Sequence, residues 1–314
     1  MSIAFVFPGQ GAQSIGMGKD LAENYPVSKA VFDEVDEALG EKLSALIWDG
    51  DIETLTLTAN AQPALMATSL AAVAALKSEG FDVGDAAFVA GHSLGEYSAL
   101  AAAGSLTIAD TARLLRVRGQ AMQEAVPVGQ GAMAALLGLN FEQAQAITSE
   151  AAGALICAAA NDNDPGQVVI SGHKEAVERA TVLAKQAGAK RALMLPVSAP
   201  FHCSLMESAA HVMAEALQGV NIERPVVPVV ANVLASAVSD PAVIRSLLVE
   251  QVTGSVRWRE SVMWMGDQGV TEFWEIGAGK ALSGMIRRIN RDAVTQDIGS
   301  TAAIEKLKSA RLEG

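Results

Sequence analysis

Gly91-His92-Ser93-Leu94-Gly95 is the stretch that most directly indicates how this chain folds and where its chemistry lies. It fits the G-x-S-x-G nucleophile elbow, in which a serine occupies a sharp turn between a strand and a helix. Its flanks agree, because residues 87–90 are typical of a short buried strand and residues 94–103 of a helix. The two glycines allow the turn without a Cβ clash, and the amides that open the helix point toward the serine oxygen. The alternative is an ordinary strand–helix turn with a surface serine.

Composition limits the class of protein. The chain has 314 residues, half of them apolar, which suits one large domain or two ordinary ones. A net charge of −12 argues against a nucleic-acid partner. The two cysteines, Cys157 and Cys203, fit a reducing compartment and give no zinc spacing, so we expect no metal. A strand from residue 3 leaves no room for a signal peptide, and the longest apolar run, 65–76, is too short to span a bilayer. We therefore expect a cytoplasmic protein with no membrane partner.

Strand-like and helix-like runs alternate along the chain, which predicts an α/β fold with a mainly parallel sheet. The predicted strands of the main domain are 3–7, 226–231 and 270–276, and its predicted helices are 28–39, 63–78, 94–103 and 108–125.

The middle of the chain has a different order, strand–helix–strand–strand–helix–strand. The six predicted elements are 132–139, 142–151, 155–160, 167–171, 174–187 and 191–197, with 161–166 as a loop. This order is typical of a ferredoxin-like unit. We predict a small subdomain at 127–197 inserted in a discontinuous domain of 1–126 and 198–314, with substrate bound in the cleft between them.

A serine nucleophile needs an adjacent base. The chain has four histidines, His92, His173, His202 and His211. We favour His202, because the loop 198–201 returns the chain from the insert to the main domain and could bring this imidazole to the elbow; the alternative is a structural histidine. No motif selects an acid to orient the base, although Asp162, Asp164, Glu207 and Glu250 are candidates. The third position is therefore open to a backbone or amide oxygen.

Arg118 gives a sharper indication. At about 100° per residue, the predicted helix 108–125 places Arg118 in the middle of its apolar side. A buried guanidinium needs a partner, which is either a protein carboxylate or an anionic ligand. Its planar fork suits a carboxylate. A serine beside this arginine suggests an acyl group with a free carboxylate at its far end.

The loop Gly9-Gln10-Gly11 follows the first strand and is a candidate source of an oxyanion-hole amide, the alternative being a glycine turn. Two nucleotide-binding patterns fail. Ser14 stands where a dinucleotide fingerprint needs glycine, and Ala281 stands where a P-loop needs serine or threonine.

Further short motifs occur in order along nearly the whole chain. They are Phe7-Pro8-Gly9-Gln10-Gly11, Gln62-Pro63, Gly91–Tyr97, Arg118-Gly119, Pro165-Gly166-Gln167, Phe201-His202 and Glu275-Ile276-Gly277. In these motifs the chain resembles the malonyl-CoA:acyl carrier protein transacylase family of type II fatty acid synthesis. The resemblance implies an α/β-hydrolase-like core with a ferredoxin-like subdomain, and transfer of malonyl from malonyl-CoA to a phosphopantetheine thiol through a seryl ester. It implies no cofactor, since malonyl-CoA is a substrate.

The same resemblance implies roles for single residues. Ser93 would carry the acyl group, with His202 as its base and the main-chain carbonyl of Gln251 orienting that histidine. The amides of Gln10 and Leu94 would form the oxyanion hole. Arg118 would bind the malonyl carboxylate. The other expected substrate-binding residues are Gln62, Met122 and Phe201, the last associated with malonyl over methylmalonyl preference.

The expected carrier protein is acidic, so local basic patches are candidate docking sites on what we expect to be a monomer. The candidates are Arg287, Arg288, Arg291, Lys190 and Arg191. The alternative is that these are solvated ends of a helix and a strand.

Three other functions compete with the transacylase. A serine esterase or thioesterase would share the elbow but pass the acyl group to water. A non-catalytic module would bind CoA or acyl groups without a covalent adduct. The acyltransferase subunit of malonate decarboxylase shares many of the motifs.

Overall fold

The computed structural model describes residues 2–197 and 199–313, without the side chains of 311–313. Its strands are β1 (Ser2–Phe7), β2 (Phe88–Gly91), β3 (Gly131–Leu137), β4 (Cys157–Asp164), β5 (Gln167–His173), β6 (Arg191–Met194), β7 (Val229–Ala231), β8 (Ser236–Val238), β9 (Val270–Ile276) and β10 (Val294–Ile298). Its α-helices are α1 (Lys19–Asn24), α2 (Pro26–Leu39), α3 (Leu43–Asp49), α4 (Ile52–Thr56), α5 (Thr58–Ser78), α6 (Gly95–Ala102), α7 (Ile108–Glu124), α8 (Phe141–Ala152), α9 (Lys174–Gln186), α10 (Glu207–Gln218), α11 (Pro241–Thr253), α12 (Trp258–Asp267), α13 (Ala281–Ile289) and α14 (Thr301–Glu313).

The larger sheet has the order β10-β9-β1-β2-β7-β8 and is parallel except for the β7–β8 pair at one edge. The apolar strand β1 lies inside it, as expected for a parallel strand buried on both faces. Its register pairs Phe7 with Gly91, so β1 and β2 end side by side. The loop after β1 and the Ser93 turn therefore both begin at the carboxyl ends of the strands, where open α/β sheets bind ligands.

Helices α5 and α7 pack against each other beside this sheet. Helix α5 is long and apolar enough to cross a membrane by length and composition, but 78% of its most apolar window is buried inside the protein, as in a core helix. Helix α7 has polar and apolar faces, and Arg118 lies on the buried face.

The smaller sheet is antiparallel, in the order β4-β5-β3-β6, and α8 and α9 share a hydrophobic core with it. With chain order β3-α8-β4-β5-α9-β6, it has the predicted ferredoxin-like succession. The predicted fold class, a parallel α/β sheet with a separate antiparallel unit, is confirmed.

Residues 161–164 were predicted to lie in a loop, and this is wrong, because β4 extends through Asp164. Asn and Asp are typical of turns, but here the alternation of a strand places the two asparagines on one face and the two aspartates on the other. Asp162 pairs with Arg259 on α12 at 2.9 Å, and Asp164 pairs with Arg288 on α13 at 2.8 Å. The strand thus joins the smaller sheet to helices of the larger unit.

Smaller differences concern where elements begin and end. Strand β7 begins at Val229 rather than at residue 226, directly after Pro228, which has no amide hydrogen for a ladder. Strand β6 ends at Met194 instead of residue 197. Helix α5 begins five residues earlier than predicted and carries Pro63 in its first turns.

Candidate active site

The Ser93 turn is built by close backbone approach and by strain. Ser93 has a φ of 54°, in the left-handed region that non-glycine residues rarely occupy. A Cβ on Gly91 would lie 1.9 Å from the Gly95 backbone, and one on Gly95 would lie 2.3 Å from the Phe7 carbonyl oxygen. The flanking glycines are therefore required by contact distances, while the serine itself takes the unusual φ.

The side chain of Asn232, which follows β7, forms hydrogen bonds to the backbone on both sides of this turn. Its Oδ1 accepts from the Ser93 amide at 2.7 Å, and its Nδ2 donates to the Gly91 carbonyl at 2.6 Å. Asn232 is 1% exposed, and its hydrogen bond to the Gly91 carbonyl is buried. These contacts stabilise the strained conformation of Ser93.

His202 lies against the serine. Its Nε2 is 2.7 Å from Ser93 Oγ, and its Nδ1 is 2.9 Å from the main-chain oxygen of Gln251. Because a carbonyl only accepts, Nδ1 carries the proton and Nε2 is free to accept from the Ser93 hydroxyl. Burial and the nearby Arg118 cation lower the pKa of His202 to about 3, so the imidazole is neutral near pH 7.

Arg118 is 1% exposed and is held by uncharged groups. It donates to Oε1 of Gln62 at 2.7 Å, to Oε1 of Gln251 at 2.9 Å and to Ser93 Oγ at 3.2 Å. Its guanidinium lies 5.7 Å from the centre of the Tyr97 ring. Among the described residues no carboxylate forms a salt bridge with Arg118, and its Nε has no hydrogen-bond partner. The cation is buried and its charge is unmatched by direct contact, which leaves it suited to an anionic ligand.

Gln10 and Leu94 both line the same cavity as Ser93. Across the described residues, neither amide donates a hydrogen bond to a protein acceptor. The Gln10 side chain is fixed by a hydrogen bond from Nε2 to Thr58 Oγ1 at 3.2 Å. Two free amides beside a serine suit an oxygen that gains negative charge.

The cavity has a volume of about 530 Å³ and lies between the two sheets. On the side of the larger unit the cavity is lined by six of the predicted site residues, Ser93, His202, Arg118, Gln62, Met122 and Phe201. The smaller sheet supplies further lining side chains, which are Met133, Ala135, Asn161, Asn163, Gln167 and Val169. One of these, Asn163, contacts His92 Nε2 through Oδ1 at 2.8 Å. In the described part of the chain, no group of three or more His, Cys, Asp or Glu side chains could hold a metal ion.

Comparison with known proteins identifies the family of this chain. Residues 4–309 match the model of the acyl transferase domain. A malonyl CoA-acyl carrier protein transacylase of Bacillus subtilis is 49% identical over 305 residues, 96% of this chain and 95% of that protein. The chain belongs to this transacylase family.

Solved structures agree with that assignment. The acyl-carrier-protein S-malonyltransferase of Bartonella henselae is 54% identical, with a TM-score of 0.96 over 99% of each chain. A malonyl transacylase solved in complex with a type II PKS acyl carrier protein is 43% identical, with a TM-score of 0.96 over 99% of this chain and 100% of that one. The family resemblance predicted from the motifs is confirmed, and the chain is an acyltransferase.

Sequence reasoning missed two transacylase side chains that contact the predicted ones. Gln251 was expected to act through its main chain, yet its side chain also contacts Arg118 and donates to Glu96 Oε2 at 2.8 Å. Glu96 is 2% exposed, and desolvation raises its pKa to about 7. A signal for Glu96 existed, because it is the one charged residue in the otherwise uncharged α6 segment Gly95–Ala102.

The basic residues predicted for docking are at the surface but differ in their contacts. Arg288 donates to the buried Asp164 at 2.8 Å, so it already has a partner within this chain. Arg287 donates to Thr295 Oγ1. The other three, Arg291, Lys190 and Arg191, are exposed. Helix α13 carries Arg287 and Arg288 and also lines the cavity through Leu282 and Met285.

Proposed function

We propose that this transacylase moves a malonyl group from malonyl-CoA to the phosphopantetheine thiol of an acyl carrier protein through an ester on Ser93. The observation that carries the proposal is the Ser93–His202 pair beside a buried Arg118 that lacks a carboxylate partner. The nucleophile and base account for acyl transfer, and the cation accounts for an acyl group with a free carboxylate.

In the first half-reaction, Ser93 Oγ attacks the thioester carbon while His202 Nε2 takes its proton. The oxyanion rests on the Gln10 and Leu94 amides; removing one such donor typically costs about a hundredfold to a thousandfold in rate. The carbon–sulfur bond then breaks, His202 returns the proton to sulfur, and CoA leaves as the thiol. The Gln251 carbonyl keeps His202 in the tautomer that this sequence requires.

In the second half-reaction, His202 takes the proton of the carrier thiol as its sulfur attacks the seryl ester. The bond from the acyl carbon to Ser93 Oγ breaks, and the proton passes from His202 to that oxygen. Throughout, Arg118 holds the malonyl carboxylate, with Gln62 and Met122 beside it. Phe201, 8% exposed and next to the base, restricts the space for an α-methyl branch.

Intact-mass spectrometry tests the proposal. The protein is incubated in turn with malonyl-CoA, acetyl-CoA and methylmalonyl-CoA, with Ser93→Ala as the control. We expect one malonyl adduct on Ser93, little of the other two, and none on the variant. Added carrier protein should remove the adduct and become malonylated. Release of free malonate instead would indicate a thioesterase, and no adduct would overturn the covalent route.

We further propose that residues 1–126 and 198–314 form the catalytic domain and 127–197 the inserted subdomain; the boundary residues Met1, Ser198 and Gly314 lie outside the described residues. We propose a cytoplasmic monomer that needs no metal or other cofactor and has neither a membrane nor a nucleic-acid partner. The carrier docks on a basic patch, either that of Arg287, Arg288 and Arg291 or that of Lys190 and Arg191. Light scattering in solution measures the molar mass and so tests whether the protein is a monomer.

A further inference from the structure

We propose that Glu96 is a positioning residue whose carboxylate holds the nucleophile turn and the Arg118-binding amide in their working orientations. The proposal rests on the roles given above to Ser93, His202 and Arg118. Glu96 lies in the first turn of α6, the helix that follows the elbow, and it is 2% exposed. Charged side chains are rarely buried without a specific set of partners.

One carboxylate oxygen serves two partners. Oε2 accepts from the Asn232 main-chain amide at 2.9 Å and from Gln251 Nε2 at 2.8 Å. Asn232 is the residue that fastens Ser93 and Gly91, and Gln251 is the residue whose carbonyl faces His202. Glu96 therefore contacts the nucleophile turn through Asn232, and it contacts the base through Gln251.

The carboxylate also selects the orientation of the Gln251 amide. Gln251 Nε2 donates to Glu96 and to the Ser93 carbonyl at 3.0 Å, which turns Oε1 toward Arg118. With the amide reversed, its NH₂ group would face the guanidinium, and a second donor cannot bond to a group that only donates. An acceptor at Glu96 therefore keeps an oxygen in front of Arg118.

The position of Gln251 between the two charges has a further consequence. A direct Glu96–Arg118 ion pair would occupy the fork that is to bind the substrate carboxylate. With a neutral amide between them, Glu96 stabilises the buried cation through space while Arg118 contacts only neutral acceptors. The substrate carboxylate then has only neutral acceptors to displace.

Rapid-quench single-turnover acylation tests the proposal, since it separates the amount of active enzyme (the amplitude) from its rate constant. Glu96→Leu removes the acceptor, whereas Glu96→Gln retains one oxygen that accepts both hydrogen bonds. Asp36→Asn is the control, because Asp36 is a buried carboxylate that also accepts two hydrogen bonds, both from Ser44, and it does not line the cavity. Its carboxylate has one further partner, the exposed Lys42, at 3.4 Å. Malonyl-CoA and acetyl-CoA are each used at saturating concentration.

We expect Glu96→Leu to lower the malonylation rate constant by about a hundredfold and the malonyl-over-acetyl preference by about tenfold, the range for losing hydrogen bonds to a charged group. Glu96→Gln should recover the rate constant to within about tenfold of the parent protein, and Asp36→Asn should leave it unchanged. Gln251→Leu keeps the His202-orienting carbonyl and should lower the same preference, with no further loss in the double variant.

A Glu96→Leu protein with reduced amplitude but an unchanged rate constant and preference would show a structural role and overturn the proposal. Glu96→Gln as slow as Glu96→Leu would overturn it as well. If Glu96→Leu does not fold, Gln251→Leu decides, and an unchanged preference there is a refutation. Failure of the parent protein to form an ester on Ser93 would instead refute the proposed function, independently of Glu96.

Discussion

Replacing Arg118 should change which acyl group the enzyme accepts more than how fast it reacts. In the free enzyme the guanidinium donates to Oε1 of Gln62, to Oε1 of Gln251 and to Ser93 Oγ, all of them uncharged. A malonyl carboxylate would replace neutral acceptors by a charged one in a site that is 1% exposed at Arg118. Acetyl offers no such group and leaves the existing contacts in place.

The size of the effect follows from these contacts. The guanidinium is charged, so its present hydrogen bonds to Gln62 and Gln251 already fall in the range of about 1.5–3 kcal/mol for bonds to a charged group. A carboxylate adds the attraction between opposite charges, about 4 kcal/mol at roughly 4 Å and an effective dielectric constant of about 20, and loses part of it to desolvation. A net gain of about 3 kcal/mol corresponds to a preference of roughly 150-fold for malonyl over acetyl. Because Gln62 and Gln251 already satisfy part of the guanidinium, this is at the low end of the roughly 3–5 kcal/mol for breaking a buried ion pair.

The assay is single-turnover labelling of Ser93 by the two donors in Arg118→Ala, with Arg118→Lys as the control that keeps the charge but loses the fork. We expect the malonyl-over-acetyl ratio to fall by about a hundredfold in Arg118→Ala and by less in Arg118→Lys. Acetylation should change little, partly because loss of the cation removes one cause of the low His202 pKa and strengthens that base. An unchanged ratio in a folded variant would refute the carboxylate-binding role of Arg118.

Three further predictions follow from the charges of the site. The low pKa of His202 keeps its base form populated well below pH 7. In Glu96→Gln, where the titrating carboxyl of Glu96 is absent, the acylation rate constant should therefore stay the same from pH 7 to pH 5; a fall centred on the ordinary pKa of 6.5 would contradict this. The pKa of Glu96 is raised from 4.5 to about 7, so the native state holds a proton that the unfolded chain releases, and the stability that Glu96 contributes is lost as pH rises through that interval. Relative to the parent, Glu96→Gln should therefore gain about 2.5 kcal/mol of unfolding free energy between about pH 5 and pH 8, measured by urea unfolding. Charge reversal of Arg287 and Arg291 should raise the KM for the carrier protein at low salt and leave the KM for malonyl-CoA unchanged. Charge reversal of Arg288 should also destabilise the fold, because it leaves Asp164 buried and unpaired; equal thermal stability of the Arg288 and Arg287 variants would contradict this.

Local patterns in the sequence predicted those features that depend on neighbouring residues. The 3.6-residue periodicity placed Arg118 on the buried face of α7, where the structure has it. The glycine spacing around Ser93 predicted the turn, and the order of elements predicted the antiparallel unit. In each case the information lies within one helix, one turn or one run of elements.

Contacts between distant segments were not available in this way. Gln251 is 158 residues from Ser93 along the chain, and nothing in its own helix indicates that its side chain reaches the elbow. Residues 161–164 have the composition of a turn, and their burial in a strand depends on distant partners, Arg259 for Asp162, Arg288 for Asp164 and His92 for Asn163. Glu96 was accessible to the argument that identified Arg118, since a single charge in an uncharged buried helix requires a partner.

In the proposed mechanism, the substrate carboxylate supplies the negative charge that Arg118 does not contact in the free enzyme. Without an acyl group, burial and then the Arg118 cation lower the pKa of His202, and the Gln251 amide separates Glu96 from that cation. A carboxylate that binds Arg118 offsets its positive charge and so raises the pKa of His202 toward its ordinary value. In the proposed mechanism His202 would then be a stronger base in the acyl-enzyme, the state in which it would take a proton from the incoming thiol. On the proposed roles, the carboxylate that binds Arg118 would therefore also prepare His202 for the second half-reaction, and an acetyl group, which lacks the charge, would do neither.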